Sequence, residues 1–390
     1  MASKNLIDEL TSILNTSGVK KTITALKSAI NNVNILDNSL TELSKISRLS
    51  SKELDKLTTK AYTLGETVGK TGSQVIDAVT RFMRAGYDLE KSMKLAENAL
   101  KMTNIAEGID NAGASAQYLI SIMKGYNDTS DEFAKKILDS INEVSKTGNI
   151  DFSVLADGAR TLSAAASEAG ISFDQMLGIL AGGYDALGDM ETAASGLADI
   201  FSRLQSTPLT FPGGDFSGQS GELKNVYNTL KDLSGVWDTL NETTKEYIAL
   251  TAGGTQQSAL FMEIMDNWDL VEKSVQSATN SMGSADAENR KYLDSINGKL
   301  AQFENAVEQL STTLVSSGIV KFFVQLGTSG VNAINGIVNA ITPLGALGAI
   351  TGGILGAKNI GKTYKCTVSK YNCFEYAPYD GDILFNAGSV

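Results

Sequence analysis

The chain has 390 residues, of which 42% are hydrophobic and 20% are charged, so it can bury a sizeable core and is neither disordered nor apolar throughout. It contains no histidine and two cysteines, Cys366 and Cys373. These counts exclude Ser-His-Asp and Cys-His catalysis, zinc sites with histidine ligands and four-cysteine metal sites. The net charge of −11 also argues against general nucleic-acid binding, because an acidic surface repels phosphate backbones.

Helical patterning dominates the first 207 residues, which contain none of the four prolines and show no alternation of period two. Three segments fit a capping box, in which the N-cap side chain and the side chain three residues later each accept a hydrogen bond from the other's backbone. These capping boxes pair Ser50 with Glu53, Thr129 with Glu132, and Ser172 with Gln175. Single capping residues predict further helix starts at Ser73, Asp88, Asp110 and Asp151.

The predicted fold class is all-α, with a compact helical domain at residues 49–206 flanked by coiled-coil-like helices. Residues 1–48 are predicted to form an N-terminal helical or coiled-coil segment. Residues 207–284 begin with a loop rich in proline and glycine, which cannot continue a helix, and then return to helical patterning.

Residues 285–317 are predicted to form a heptad helix, because apolar residues recur at alternating intervals of three and four positions. This heptad seam consists of Leu293, Ile296, Leu300, Phe303, Val307, Leu310 and Leu314. The charges of Lys299, Glu304 and Glu308 flank it. Two interpretations fit the pattern: a long helix packed on its own domain, or a coiled coil with another chain. The same spacing recurs near the N-terminus at Ile23, Leu26, Ile30 and Val33, and two such segments favour an elongated, self-associating molecule.

Residues 318–357 form a glycine- and alanine-rich hydrophobic segment, which is uncharged from residue 322 onward. Its second part, 340–357, has about the minimum length that crosses a bilayer. Three glycines at intervals of four would let helices pack closely in lipid, and two lysines that follow would anchor the segment at the interface. These residues are Gly348, Gly352 and Gly356, followed by Lys358 and Lys362. A buried, glycine-rich packing helix is the alternative.

Residues 358–390 form a short tail rich in lysine and tyrosine, in which a β-hairpin is one option and the two cysteines could pair. Residues 356–363 match the pattern of a phosphate-binding P-loop, but no strand signal precedes them and too few residues follow for a nucleotide-binding domain. No carboxylate pair has a recognisable acid–base setting. We therefore expect no catalytic residue, no cofactor and no metal. The first residues, MASKNLIDEL, also lack the apolar core of a signal peptide.

Several spaced segments resemble the phage tail tape measure protein family, of the type found in prophages of Gram-positive bacteria. Residues 64–75 (LGETVGKTGSQV) resemble its LG..TG.SA.EV opening, and residues 84–88 (RAGYD) its AKAGLS turn. Residues 124–131 (KGYNDTSD) are similar to FGLSADD, and residues 169–175 (AGISFDQ) to A.GVS.EE. Residues 195–204 (SGLADIFSRL) resemble the closing AGT.LR.L, although residues 195–198 (SGLA) depart from its Gly-Thr.

The resemblance implies a helical protein that self-associates inside the tail tube, sets tail length during assembly and is expelled ahead of DNA, often inserting in the host membrane. The implied partners are further copies of the chain, the major tail tube protein, tail assembly chaperones, distal tail or baseplate proteins, and the host membrane. The implied location is the virion, after synthesis in the host cytoplasm. The alternative function is that of a membrane-inserting, pore-forming or secreted helical protein unrelated to tail length.

Overall fold

The computed structural model describes residues 17–206, 209–211, 214–215 and 225–316, and within them the chain forms fourteen helices and one pair of two-residue strands. The first nine helices are α1 (Ser17–Ile46), α2 (Ser51–Val68), α3 (Gly72–Arg84), α4 (Leu89–Ile105), α5 (Ala112–Gly125), α6 (Asp131–Gly148), α7 (Phe152–Glu168), α8 (Phe173–Leu187) and α9 (Met190–Ser206). Then follow β1 (Thr210–Phe211), β2 (Gly214–Asp215), α10 (Val226–Trp237), α11 (Glu242–Asp266), α12 (Trp268–Thr279), α13 (Ser284–Asp294) and α14 (Ile296–Ser316). The predicted all-α fold class is confirmed.

Capping residues determine where many of these helices begin. Ser50 caps α2 and Ser172 caps α8 through complete capping boxes, and Asp88 and Asp151 stand at the N-caps of α4 and α7, as the sequence predicts. The side chains of Asp88 and Ser172 accept hydrogen bonds from amides that the first turn of a helix leaves unpaired, whereas the Asp151 side chain forms no such bond.

Three other helix starts differ from the prediction by one or two residues. Thr71, not Ser73, caps α3, because Thr71 forms a capping box with Gln74. Asn111, not Asp110, caps α5. At α6 the cap is Ser130, whose hydroxyl accepts a hydrogen bond from the Phe133 amide at 3.1 Å, so the capping box predicted from Thr129 does not form. In each case a neighbouring side chain that is also favoured at the N-cap reaches the free amide.

The buried apolar side chains form one continuous cluster that runs from Leu36 in α1 to Ala285 in α13. Helix α8 lies inside this cluster, with almost every residue from 173 to 183 buried. Gly182 lets α12 approach closely, because a Cβ atom there would lie 2.8 Å from Val271 Cγ2. The helices after residue 206 therefore complete the core instead of forming a separate one.

A buried carboxylate joins α6 to the turn between α12 and α13. Asp139 is only 3% exposed and accepts hydrogen bonds from the amides of Gly283 and Ala285, each at 2.9 Å. Because the first amides of a helix lack partners within the helix, this carboxylate caps the N-terminus of α13 from another part of the chain. Asn142, on the same helix α6, adds a hydrogen bond of 2.5 Å to the hydroxyl of Ser284.

The substitution Asp139→Ala should destabilise the whole protein. It leaves a buried and a half-buried amide without a partner and removes a negative charge from a helix N-terminus, which we expect to lower the free energy of unfolding by about 2 to 4 kcal/mol. Urea denaturation followed by circular dichroism measures this change. Asp55→Ala, on the exposed face of α2, is the matched control and should shift stability by less than about 0.5 kcal/mol. Equal stability of the two variants would show that the Asp139 cap is unimportant.

Candidate functional site

The helix boundary at Ser295 divides the predicted heptad helix into two. Ser295 has an extended backbone, with φ of −71° and ψ of 165°, and separates α13 from α14. Its hydroxyl accepts a hydrogen bond from the Gly298 amide at 3.1 Å and so caps α14. Gly298 is required in this corner because a Cβ atom there would collide with the carbonyl oxygen of Tyr292. Leu293 therefore lies on α13, whereas the other six residues of the heptad seam lie on α14.

Helix α14 packs on α1, α2 and α3. It buries or half-buries a polar face there, which consists of Asn305, Glu308, Ser311 and Thr312. Asn305 and Glu308 are each 4% exposed and Ser311 is 2% exposed. The Asn305 side-chain amide donates to the backbone carbonyl of Tyr62 at 3.1 Å, and the Tyr62 hydroxyl shares a hydrogen bond of 2.7 Å with Thr312. Side-chain hydrogen bonds therefore provide much of the attachment of α14.

Glu308 caps the N-terminus of α3. Its carboxylate accepts hydrogen bonds from the amide and the hydroxyl of Ser73, at 2.9 Å and 2.7 Å. Gly72 makes room for it, since a Cβ atom on Gly72 would lie 3.1 Å from Glu308 Oε1 and 2.7 Å from the Tyr62 ring. Burial raises the pKa of Glu308 above its ordinary value, and the hydrogen bonds from Ser73 oppose this shift, while the nearby Asp77 carboxylate reinforces it. Burial of the ionised Glu308 carboxylate therefore costs free energy that its hydrogen bonds do not fully offset.

The heptad seam lies on the outward side of α14 at its N-terminal half. Ile296 is 80% exposed, Leu300 54% and Phe303 41%, whereas Leu293, Val307 and Leu310 are partly buried. The side chain of Leu314 lies outside the described residues. Surface helices usually bury their apolar stripe and expose their polar one. Helix α14 instead exposes apolar side chains in its first two turns and buries polar ones from Asn305 onward, which leaves an apolar surface available to a partner.

The sequence analysis missed the polar face of α14 as a contact surface. Asn305, Glu308 and Thr312 recur at intervals of three and four, as the residues of a packed helix face do. This spacing was the available signal. Polar residues at helical spacing normally predict a solvated face, so the spacing alone does not predict a contact.

Other predicted positions cannot be placed in this way. Gly348, Gly352, Gly356, Lys358, Lys362 and both cysteines lie outside the described residues. The N-terminal repeat falls on the single helix α1, where the side chain of Val33 is partly buried. Among the described helices, none has the length and hydrophobicity that a bilayer crossing needs. The described residues also contain no cluster of three or more acidic or cysteine side chains suited to a metal ion.

Glu308→Gln should stabilise the protein at neutral pH and not at acidic pH. The folded-state pKa of Glu308 is raised, so stability from this group is full below the unfolded value of about 4.5 and is lost as pH rises through the folded pKa. Glutamine keeps an acceptor for the Ser73 amide without the buried charge. We therefore expect a higher melting temperature for the variant at pH 7.5 and equal values near pH 4, measured by differential scanning calorimetry. Lower stability of the variant at both values would show that the cap needs its charge.

Comparison with known proteins gives the family but not a known fold. No solved structure matches the chain. The sequence model for phage-related minor tail proteins matches residues 58–254, just over half of the chain, from within α2 to Gly254 in α11. This range includes every segment on which the resemblance described above depends. The chain therefore belongs to the phage-related minor tail protein family, and its role is a structural one in a phage tail.

Proposed function

We propose that this minor tail protein is the tape measure protein of its phage: it sets tail length inside the tail tube during assembly and leaves the tube at infection. The observation that carries the proposal is the outward-facing heptad seam on α14, in a chain whose described residues are almost entirely helical. A ruler has to extend along the tube and hold its copies in register, and a heptad helix provides both properties. The 390 residues as one helix would span about 585 Å.

The heptad seam also supports the proposed self-association through its charges. If Leu300 is a first-position (a) residue, Lys299 occupies a g position and Glu304 an e position, five residues further on. In a parallel, in-register coiled coil, g residues of one helix lie beside the e residues of the next heptad in the partner. Lys299 and Glu304 of two copies would then attract each other.

The remaining assignments follow from the same proposal. Residues 49–206 would be the tape measure core domain, with residues 1–48 and 285–317 as the flanking self-associating helices and 207–284 as the loop and helices that join them. The major tail tube protein, tail assembly chaperones and distal tail or baseplate proteins would be the partners. Residues 318–357 would insert in the host membrane at infection, with residues 358–390 at its surface.

In-frame duplication of residues 293–313 in the phage should lengthen the tail. These three heptads keep the phase of the seam, so each tail should gain about 31 Å, measured by electron microscopy of purified particles. Duplication of residues 293–306 is the matched control and should add about 21 Å, since the gain should scale with the number of residues. Infectious particles with unchanged tails in both cases would contradict a ruler function for this segment.

Ile350→Asp should block infection without changing tail length. A charge at the centre of residues 340–357 makes membrane insertion unfavourable, which we expect to reduce plaque-forming titre per particle at least about tenfold. Ser369→Asp, outside the uncharged segment, is the control. Normal titre of the Ile350 variant would contradict insertion, and liposome leakage by a chain that never joins the virion would favour the pore-forming alternative.

A further inference from the structure

Helices α13 and α14 are attached to the body by different contacts on different helices. Asp286 of α13 forms salt bridges of 2.9 Å with Lys101 of α4 and with Lys135 of α6, and Asp139 caps the same helix. Helix α14 instead contacts α1, α2 and α3, with its polar face at the centre of the contact. These contacts of α13 and of α14 therefore involve different residues of the body, with Ser295 between them.

The attachment of α14 contains two unfavourable features. Glu308 is a buried carboxylate whose hydrogen bonds come from the uncharged Ser73. The side-chain oxygen of Asn305 is buried and has no hydrogen-bond partner. A buried polar atom without a partner costs free energy, and so does a buried charge. Both costs would be relieved if α14 moved into water.

The sequence pattern fits a second arrangement of the same residues. The heptad seam continues in phase from Leu293 on α13 to Ile296 on α14, although the helix is interrupted between them. The interruption at Ser295 contains no proline, and only Gly298 nearby lacks a side chain. In the observed arrangement Leu293 lies against Gly69, while Val307 and Leu310 are partly covered, so the seam is incomplete as a coiled-coil surface.

We propose that Ser295 is a pivot: α13 stays on the body while α14 leaves α1, α2 and α3, joins α13 as one continuous helix, and pairs its heptad seam in parallel with that of a second copy. This inference rests on the self-association proposed above and adds the conformational change that accompanies it. The docked helix is the form of the single chain, and the continuous helix, about 50 Å long, is the form of the assembly. Pairing of the seams supplies the free energy that is lost when α14 leaves the body.

The substitution Ile296→Pro separates the two forms. Residue 296 is the first residue of α14, where proline is well tolerated, and Ser295 before it is already extended, as a residue before proline prefers. In the continuous helix the same proline would be internal, where it removes a hydrogen bond and clashes with the preceding turn. The population of the continuous helix should fall at least about a hundredfold. Ile296→Ala is the matched control, because it removes the same seam side chain without restricting the backbone.

The experiment uses the full chain with both cysteines replaced by serine and spin labels at Lys60→Cys on α2 and Gln309→Cys on α14, two exposed positions on packed helices. Pulsed electron paramagnetic resonance should give a distance of about 20 Å between the labels in dilute protein, as expected for neighbouring helices. As the protein concentration rises, the share of molecules with a label distance beyond about 40 Å should increase in the parent chain and in Ile296→Ala. The oligomer mass measured by light scattering should increase with it. Ile296→Pro should keep the short distance and remain monomeric.

Two results would overturn the inference. If Ile296→Pro associates as strongly as Ile296→Ala and keeps the short distance, the seam pairs without a pivot, and self-association stands. If the parent chain shows the short distance and a monomer at every concentration, the pivot is absent, and the tail-length experiment then decides the ruler function by itself. Glu308→Lys provides a second variant: a cation facing the N-terminus of α3 should favour release and raise the share of the long distance about tenfold.

Discussion

Asp139 lies within α6, and its carboxylate accepts hydrogen bonds from backbone amides that are 144 and 146 residues further along the chain. This contact fixes where α13 begins and therefore where α14 can go. The same junction carries Ser140, whose hydroxyl donates to Asp174 on α8 at 3.1 Å. Lys136 adds a salt bridge of 2.8 Å to Asp174. The polar groups of α6 thus hold together helices from the middle and the end of the described chain.

Three of the five segments that resemble tape measure proteins share a local geometry. Gly86, Asn127 and Gly170 all have a left-handed backbone, with φ of 100°, 51° and 69°. Each is followed two or three residues later by the N-cap of the next helix, which is Asp88, Ser130 or Ser172. A left-handed residue ends one helix and a capping side chain starts the next, so these segments specify turns between helices. The resemblance therefore has a physical basis in how successive helices are connected.

Much of the fold was predictable because it depends on signals within a few residues. Ser50 and Ser172 with their partners identify helix starts, and the absence of proline and of period-two patterns identifies the fold class. Contacts between distant residues were not predictable in this way. The burial of Asn305 and Glu308 depends on the backbone of Tyr62 and Ser73, more than two hundred residues away, and their helical spacing alone does not distinguish a buried polar face from a solvated one. The candidate surface was identified as a seam, but its outward orientation follows from those distant contacts.

The cap that Asp139 provides has a consequence for the order of folding during synthesis. Helices α3, α4 and α5 contact one another and can pack as soon as they leave the ribosome. Helices α6 and α8 contact α12, so the part of their apolar surface that α12 covers stays exposed until residues 268–279 have been made, and α13 cannot be capped until residue 285 follows. Contacts of such long sequence separation slow folding, and the intermediates that form before them are prone to aggregation. While more than a hundred residues are translated, the incomplete core of the nascent chain is therefore exposed, and it can aggregate or bind a protecting partner.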